Sequence, residues 1–191
     1  MRLAGRRPYS PGVESLDQGI VAWASGLHWP VLMPLMRDLS GYHYQLAGLL
    51  AIAAGLLARR LAIPVLTVVA IPLAAVADNL LKTAVGRPRP FVADPAIHPL
   101  IARPHDSSMP SGHALTAFAC STIVAMLEPR LRWPAYGLAA AIAASRVYLG
   151  VHYPSDVVAG AAVGAALGAG LVLGSRCITR LGVLRARQRP C

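Results

Sequence analysis

Negative charge is scarce in this chain: eight acidic residues stand against 17 arginines and a single lysine, Lys82. Aromatic residues make up 6%, and the three cysteines, Cys120, Cys177 and Cys191, are too few and too oddly spaced for a disulfide framework or a CxxC or Cys/His zinc site. The charged fraction, 14%, is too small for a disordered chain, and the 17 glycines follow no three-residue period, which excludes a collagen-like fibre. What the sequence has in abundance is apolar surface. Hydrophobic residues are 55% of the 191, and the mean hydropathy is +0.53. A water-soluble domain of this length cannot hide so much apolar area, whereas lipid can cover it. The expectation is one membrane-embedded, all-α domain spanning 1–191.

Five segments read as spanning helices: Tyr42 to Ala58, Ala62 to Leu81, Ser111 to Leu127, Pro134 to Val151 and Val157 to Gly174. Several are near the lower length limit of ~17 residues. Ile20 to Met36 is a sixth candidate that either spans or lies along the interface. His28, Pro30 and Pro34 weaken it, and Trp23 and Trp29 suit the headgroup level. The fold expected is a polytopic transmembrane bundle of five or six spans, with 1–41 an interfacial helix or first span and 175–191 a basic tail.

The net charge of +10 does not indicate nucleic acid as a partner, because the arginines lie between apolar segments or after the last one. Arg59 and Arg60, Arg130 and Arg132, and Arg176, Arg180, Arg185, Arg187 and Arg189 fall on one side of an antiparallel series, with Glu128 the one acid among them. The positive-inside rule makes that side cytoplasmic. The 83–110 connection and the turn at His152 then face outward from an inner or plasma membrane. Arg2, Arg6 and Arg7 fit this scheme only if Ile20 to Met36 spans, and no signal peptide is expected. Gly160, Gly164 and Gly168, four apart, mark the last helix as one that packs closely inside the bundle, although an Ala/Gly-rich helix with no such role would read the same.

Polar residues gather at the outward ends of these segments in three clusters: Asp78, Asn79 and Lys82 with Arg87 and Arg89; Pro110, Ser111, Gly112 and His113; and Ser145, Arg146, His152 and Asp156. Lys82, Arg89 and Arg146 form an anion site in which carboxylates look too few to match, Asp94 and Asp106 being isolated loop acids. The plainer readings are an Asp78–Lys82 ion pair along a helix and a stiff Arg-Pro-Arg-Pro loop. Pro110-Ser111-Gly112-His113 opens a helix, whose free N–H groups attract an oxyanion, with serine capping as the alternative. His152 and Asp156, four apart, suit a carboxylate that fixes an imidazole tautomer, or a structural hydrogen bond. His28, His43, His98 and His105 have no comparable partners in the sequence.

Taken together, Lys82 with Arg89-Pro90, then Pro110-Ser111-Gly112-His113, then Ser145-Arg146 with His152 and Asp156 resemble the three-part signature of the type 2 phosphatidic acid phosphatase superfamily, to which the vanadium haloperoxidases are distantly related. The resemblance runs from Lys82 to Asp156 with no position missing. It implies a phosphomonoesterase or diphosphatase that needs no metal or other cofactor. His152 would be the nucleophile, Asp156 its orienting acid and His113 the general acid. Lys82, Arg89, Ser111, Gly112 and Arg146 would hold phosphate. The expected partners are the bilayer and a lipid phosphate: a polyprenyl diphosphate such as undecaprenyl diphosphate, narrowly favoured, phosphatidylglycerophosphate or phosphatidic acid. An anion channel or transporter with a basic basin, and a vanadate-dependent haloperoxidase, are the alternatives.

Overall fold

The computed structural model describes residues 11–27, 29–41 and 43–187, and side chains over 12–27, 29–41 and 47–180. Arg2, Arg6, Arg7, His28, Tyr42, Arg189, Cys191 and the side chains of His43, Arg185 and Arg187 lie outside the described residues. The helices are α1 (Pro11–Gly26), α2 (Leu32–Gly41), α3 (His43–Leu57), α4 (Ala62–Val85), α5 (Pro90–Ala93), α6 (Gly112–Leu127), α7 (Arg132–Tyr148) and α8 (Pro154–Arg187). No strand occurs among the described residues.

Helices α3, α4, α6, α7 and α8 occupy the five apolar segments. Among the described residues two helical stretches are long and apolar enough to cross a bilayer, Ala62–Ala93 and Pro154–Arg180, with mean hydropathies of 1.9 and 2.1. Helix α8 continues beyond Gly174 to Arg187, so the basic tail begins as helix. No proline interrupts it there, and arginine is a good helix former near a C-terminus. The expected single segment from Ile20 to Met36 is instead two helices, broken at 27–31. Gly26 and Pro30 account for the break, since proline removes a donor and biases its predecessor away from helix.

Helix α6 is the axis of the bundle, packing against α3, α4, α7 and α8. Its residues Ala114 through Ala117 and Ala119 through Val124 are buried, as a helix apolar on every face should be. The outer helices reverse the usual pattern: Val65, Val68, Val76, Leu80, Val158 and Leu173 are large, apolar and exposed, which is tolerable where the surrounding solvent is hydrocarbon.

The small residues of α8 make the closest approach. A Cβ on Gly160 would meet the Ser111 carbonyl, on Gly164 the Leu115 carbonyl, and on Gly168 the Ala119 carbonyl at 2.5 Å. Helix α8 therefore lies directly on the backbone of α6, beginning where α6 begins. Gly164→Ala should force the helices apart and cost about 1–3 kcal/mol, the usual penalty of overpacking. Gly170→Ala, with nothing within 4 Å, should be neutral or slightly stabilising. Thermal unfolding of the two variants in detergent compares them, and equal midpoints would contradict the packing argument.

At the end of the bundle away from the polar clusters, Arg60 pairs with Glu128 at 3.8 Å and Arg176 Nη2 donates to the Met126 carbonyl at 3.0 Å. Arg60 and Arg176, two of the arginines that the charge pattern assigns to one side, thus both lie at this end, beside Met126 and Glu128.

Candidate active site

At the other end, two left-handed glycines steer the chain. Gly86 (φ 62°) ends α4, its N–H donating to the Lys82 carbonyl, and the chain runs through Arg87 and Pro88 without regular structure to an extended Arg89 before Pro90 starts α5. Gly150 (φ 71°) ends α7, and the N–H groups of Val151 and His152 then turn back to the Arg146 carbonyl, each at 3.3 Å. A residue with a side chain adopts such φ values at a cost. Both turns therefore depend on glycine.

All three sequence clusters meet here. Lys82, Arg89, Gly112, His113, Arg146 and His152 line one cavity of about 300 Å³. Ser111 and Asp156 lie outside its lining, fully buried, and are joined by a 3.0 Å bond from the Ser111 N–H to the Asp156 carbonyl.

His152 is 1% exposed, and its Nε2 lies 3.2 Å from Arg89 Nη1. A guanidinium only donates, so Nε2 must present its lone pair and the ring proton belongs on Nδ1. Asp156 Oδ2 faces that Nδ1 at 3.6 Å, an electrostatic contact slightly longer than a hydrogen bond. Burial first, and then the neighbouring Arg146 and Arg89, push the His152 pKa down to about 4 against the pull of Asp156. The imidazole is therefore neutral at physiological pH. Asp156 is itself fixed, accepting from Arg87 Nη1 at 2.7 Å and from the Tyr153 N–H at 2.8 Å.

Across the cavity, His113 Nε2 donates to the Ser40 carbonyl at 3.1 Å, and Arg146 Nη1 donates to the Ser40 hydroxyl. The hydroxyl of Ser111 has no hydrogen-bond partner among the described residues. Ser111 occupies the N-cap position of α6 without making a side-chain cap, so the capping alternative is not realised. A buried hydroxyl left unpaired costs about 1–3 kcal/mol.

The expected excess of cations needs correcting. Lys82 Nζ sits between Asp78 Oδ2 at 2.8 Å and Asp106 Oδ2 at 2.7 Å, so its helical ion pair with Asp78 does form. Asp106 is not an isolated loop acid, because its other oxygen accepts from Arg89 Nη2 at 2.7 Å. Despite the upward push of partial burial, the bonds from Lys82 and Arg89 hold its pKa at about 2. Asp78 also explains a glycine: a Cβ on Gly112 would come within 2.7 Å of its carboxylate oxygen.

Sequence reasoning missed the outer supports. Arg87, read as part of a stiff loop, is buried between Asp156 and Asp17 of α1, the latter at 2.8 Å. Asp17 also accepts from the Ser155 N–H at 3.1 Å. Arg87 stands in the first polar cluster of the sequence, but nothing there indicates that it bridges Asp156 and Asp17, and nothing local marks Asp17 or Ser40. Among the described residues no three His, Cys, Asp or Glu side chains are grouped as a metal site requires, and Cys120 and Cys177 are free thiols.

A helical bundle with this cationic, histidine-bearing cavity has counterparts. The chain belongs to the PAP2 superfamily, whose family model matches residues 61–178. It is 41% identical over 91 residues to a lipid A 1-phosphatase of Rhizobium johnstonii, covering 46% of this chain and 37% of that protein. It is 33% identical over 93 residues to the undecaprenyl-diphosphatase BcrC of Bacillus subtilis, covering 49% and 48%. These matches span about half or less of the relatives' length. The fold is shared with the transmembrane PAP2 type phosphatidylglycerolphosphate phosphatase from Bacillus subtilis, with a TM-score of 0.72 at 22% identity over 89% of each chain.

Proposed function

We propose that this protein is a membrane lipid phosphatase that removes a terminal phosphate from a lipid mono- or diphosphate through a phosphohistidine. The carrying observation is the neutral, buried His152, whose Nε2 lies 3.2 Å from Arg89 at the wall of a cavity that Lys82 and Arg146 also line. Phosphate oxygens gripped by those three cations and the start of α6 bring phosphorus in front of the Nε2 lone pair. Attack forms the N–P bond as the ester or anhydride P–O bond breaks, and His113 protonates the departing oxygen. Asp156 stabilises the imidazolium-like product. Water, deprotonated by His113, then hydrolyses the N–P bond and returns His152 to its neutral form. Fixed cations take the charge-neutralising part that magnesium has in many phosphoryl transfers, so the reaction needs no metal.

The relatives' names support a lipid-linked phosphate, and polyprenyl diphosphate is the substrate favoured here over phosphatidylglycerophosphate and phosphatidic acid. The tail lies among the bundle's outer helices. The site faces the extracytoplasmic side of a multi-pass protein, by the arginines at the opposite end. Helices α1 and α2 lie along that surface, since Asp17 and Ser40 both bond to the site's arginines, and exposed Trp23 and Trp29 suit the headgroup layer.

The test is phosphate release by the detergent-solubilised protein from each of the three lipids, with EDTA present. Release is expected from at least one and undiminished by the chelator. Absence of release from all three, or a strict magnesium requirement, overturns the reading. His113→Ala should slow turnover by roughly 100-fold to 10,000-fold, the range for a lost general acid.

A further inference from the structure

The donors that this mechanism assigns to phosphate are already engaged. Asp106 presents one carboxylate oxygen to Lys82 Nζ and the other to Arg89 Nη2, both at 2.7 Å, bridging the two cations as two oxygens of a phosphate would. Its backbone carbonyl separately accepts from Arg89 Nε at 2.9 Å. The Asp106 side chain is 50% exposed and lines the cavity beside His152 and Arg146. It is thus an anion seated in the cradle, on a connecting segment, with solvent available to it if displaced. Asp78 plays no such part, since its carboxylate is packed against Gly112.

We infer that Asp106 is a specificity-determining residue, a resident anion that every incoming phosphate must displace and that returns to Lys82 and Arg89 after hydrolysis. This rests on the phosphatase reading of the site. A lipid phosphate is held near the cavity by its tail and can displace the carboxylate. Orthophosphate and soluble phosphomonoesters have no such anchor, so they compete poorly. The same carboxylate thereby discriminates against untethered phosphates and hastens release of the product.

Asp106→Asn removes the charge and keeps the backbone bond to Arg89, and Asp106→Ala removes the side chain. In titration calorimetry with the full chain in detergent, both should bind orthophosphate roughly tenfold more tightly than the parent, because a like charge beside the bound anion is gone. In turnover assays, the KM for p-nitrophenyl phosphate should fall more than the KM for the lipid. Unchanged or weaker orthophosphate binding in folded variants would overturn the inference. Should neither variant fold, the parent decides: saturating orthophosphate should speed hydrogen exchange around 104–107 as the carboxylate leaves, and greater protection there would count against displacement. Orthophosphate binding is read without turnover, so the two readings fail separately. Tighter binding with no lipid hydrolysed would retire the hydrolase assignment alone, and brisk hydrolysis with unaltered phosphate affinity would retire only the role of Asp106.

Discussion

His152→Ala is expected to slow lipid phosphate hydrolysis by on the order of 10,000-fold or more, since on the proposed mechanism it removes the nucleophile and with it the covalent route. The loss should fall on kcat, because the cations that hold the ground-state phosphate remain. A companion measurement separates a nucleophile from a merely structural histidine. Arg89 can only donate to Nε2 at 3.2 Å, so NMR of the ring nitrogens should find the proton on Nδ1. The ring should titrate near pH 4, as burial and the flanking arginines dictate. The sign for stability follows. The unfolded chain takes up a proton near the ordinary value of 6.5 while the folded ring refuses it, so this group makes no difference above that pH. Its effect is to lower stability as pH falls from about 6.5 to 4. A ring titrating near 6.5 with its proton on Nε2, or a His152→Ala enzyme of undiminished rate, would remove His152 from the chemistry.

The features that were legible in the sequence were those with a local signature. Apolar segments bounded by arginine pairs located α3, α4, α6, α7 and α8, because in hydrocarbon every backbone group must be satisfied within its own helix. The spacing of Gly160, Gly164 and Gly168 pointed to a last helix packed closely inside the bundle, since close approach demands the absence of Cβ atoms on one face, but that its partner is α6 is visible only in the fold. Lys82, Arg89, His113, Arg146 and His152 could be placed together because each lies at a helix end on the same side of the series.

What the sequence did not disclose depends on tertiary docking. Asp17 and Ser40 lie on short helices whose composition says nothing about which partner they meet. Asp106 looks like any polar loop residue until its carboxylate is seen to reach Lys82 of α4 and Arg89. The misreading of Asp106 had a physical origin: counting charges along the chain found three cations, but the balance of a site is set by which carboxylates reach it in space.

Arg87→Ala should be the most destabilising single substitution outside the helix core, at about 3–5 kcal/mol, the usual result of removing one partner from a buried ion pair. Arg87 is 7% exposed, with Asp17 at 4% and Asp156 at 0%, so both acids would be left without the guanidinium that neutralises them. The guanidinium also lies 4.0 Å from the centre of the Tyr153 ring and donates to the Ser155 hydroxyl at 2.7 Å, contacts a smaller side chain forfeits. Arg87→Lys should recover only part of the loss, because a single ammonium cannot reproduce the fork that reaches Asp156 with Nη1 and Asp17 with Nη2. Asp17→Asn should cost less than Arg87→Ala, since Asp156 keeps its partner. Activity adds a second axis. Asp156 freed from Arg87 no longer holds a fixed place behind His152, so kcat in Arg87→Lys should fall while KM changes little. A thermal midpoint for Arg87→Ala within the equivalent of about 0.5 kcal/mol of the parent, the range of an ordinary surface change, would mean that α1 is not anchored to the His152–Asp156 pair through Arg87.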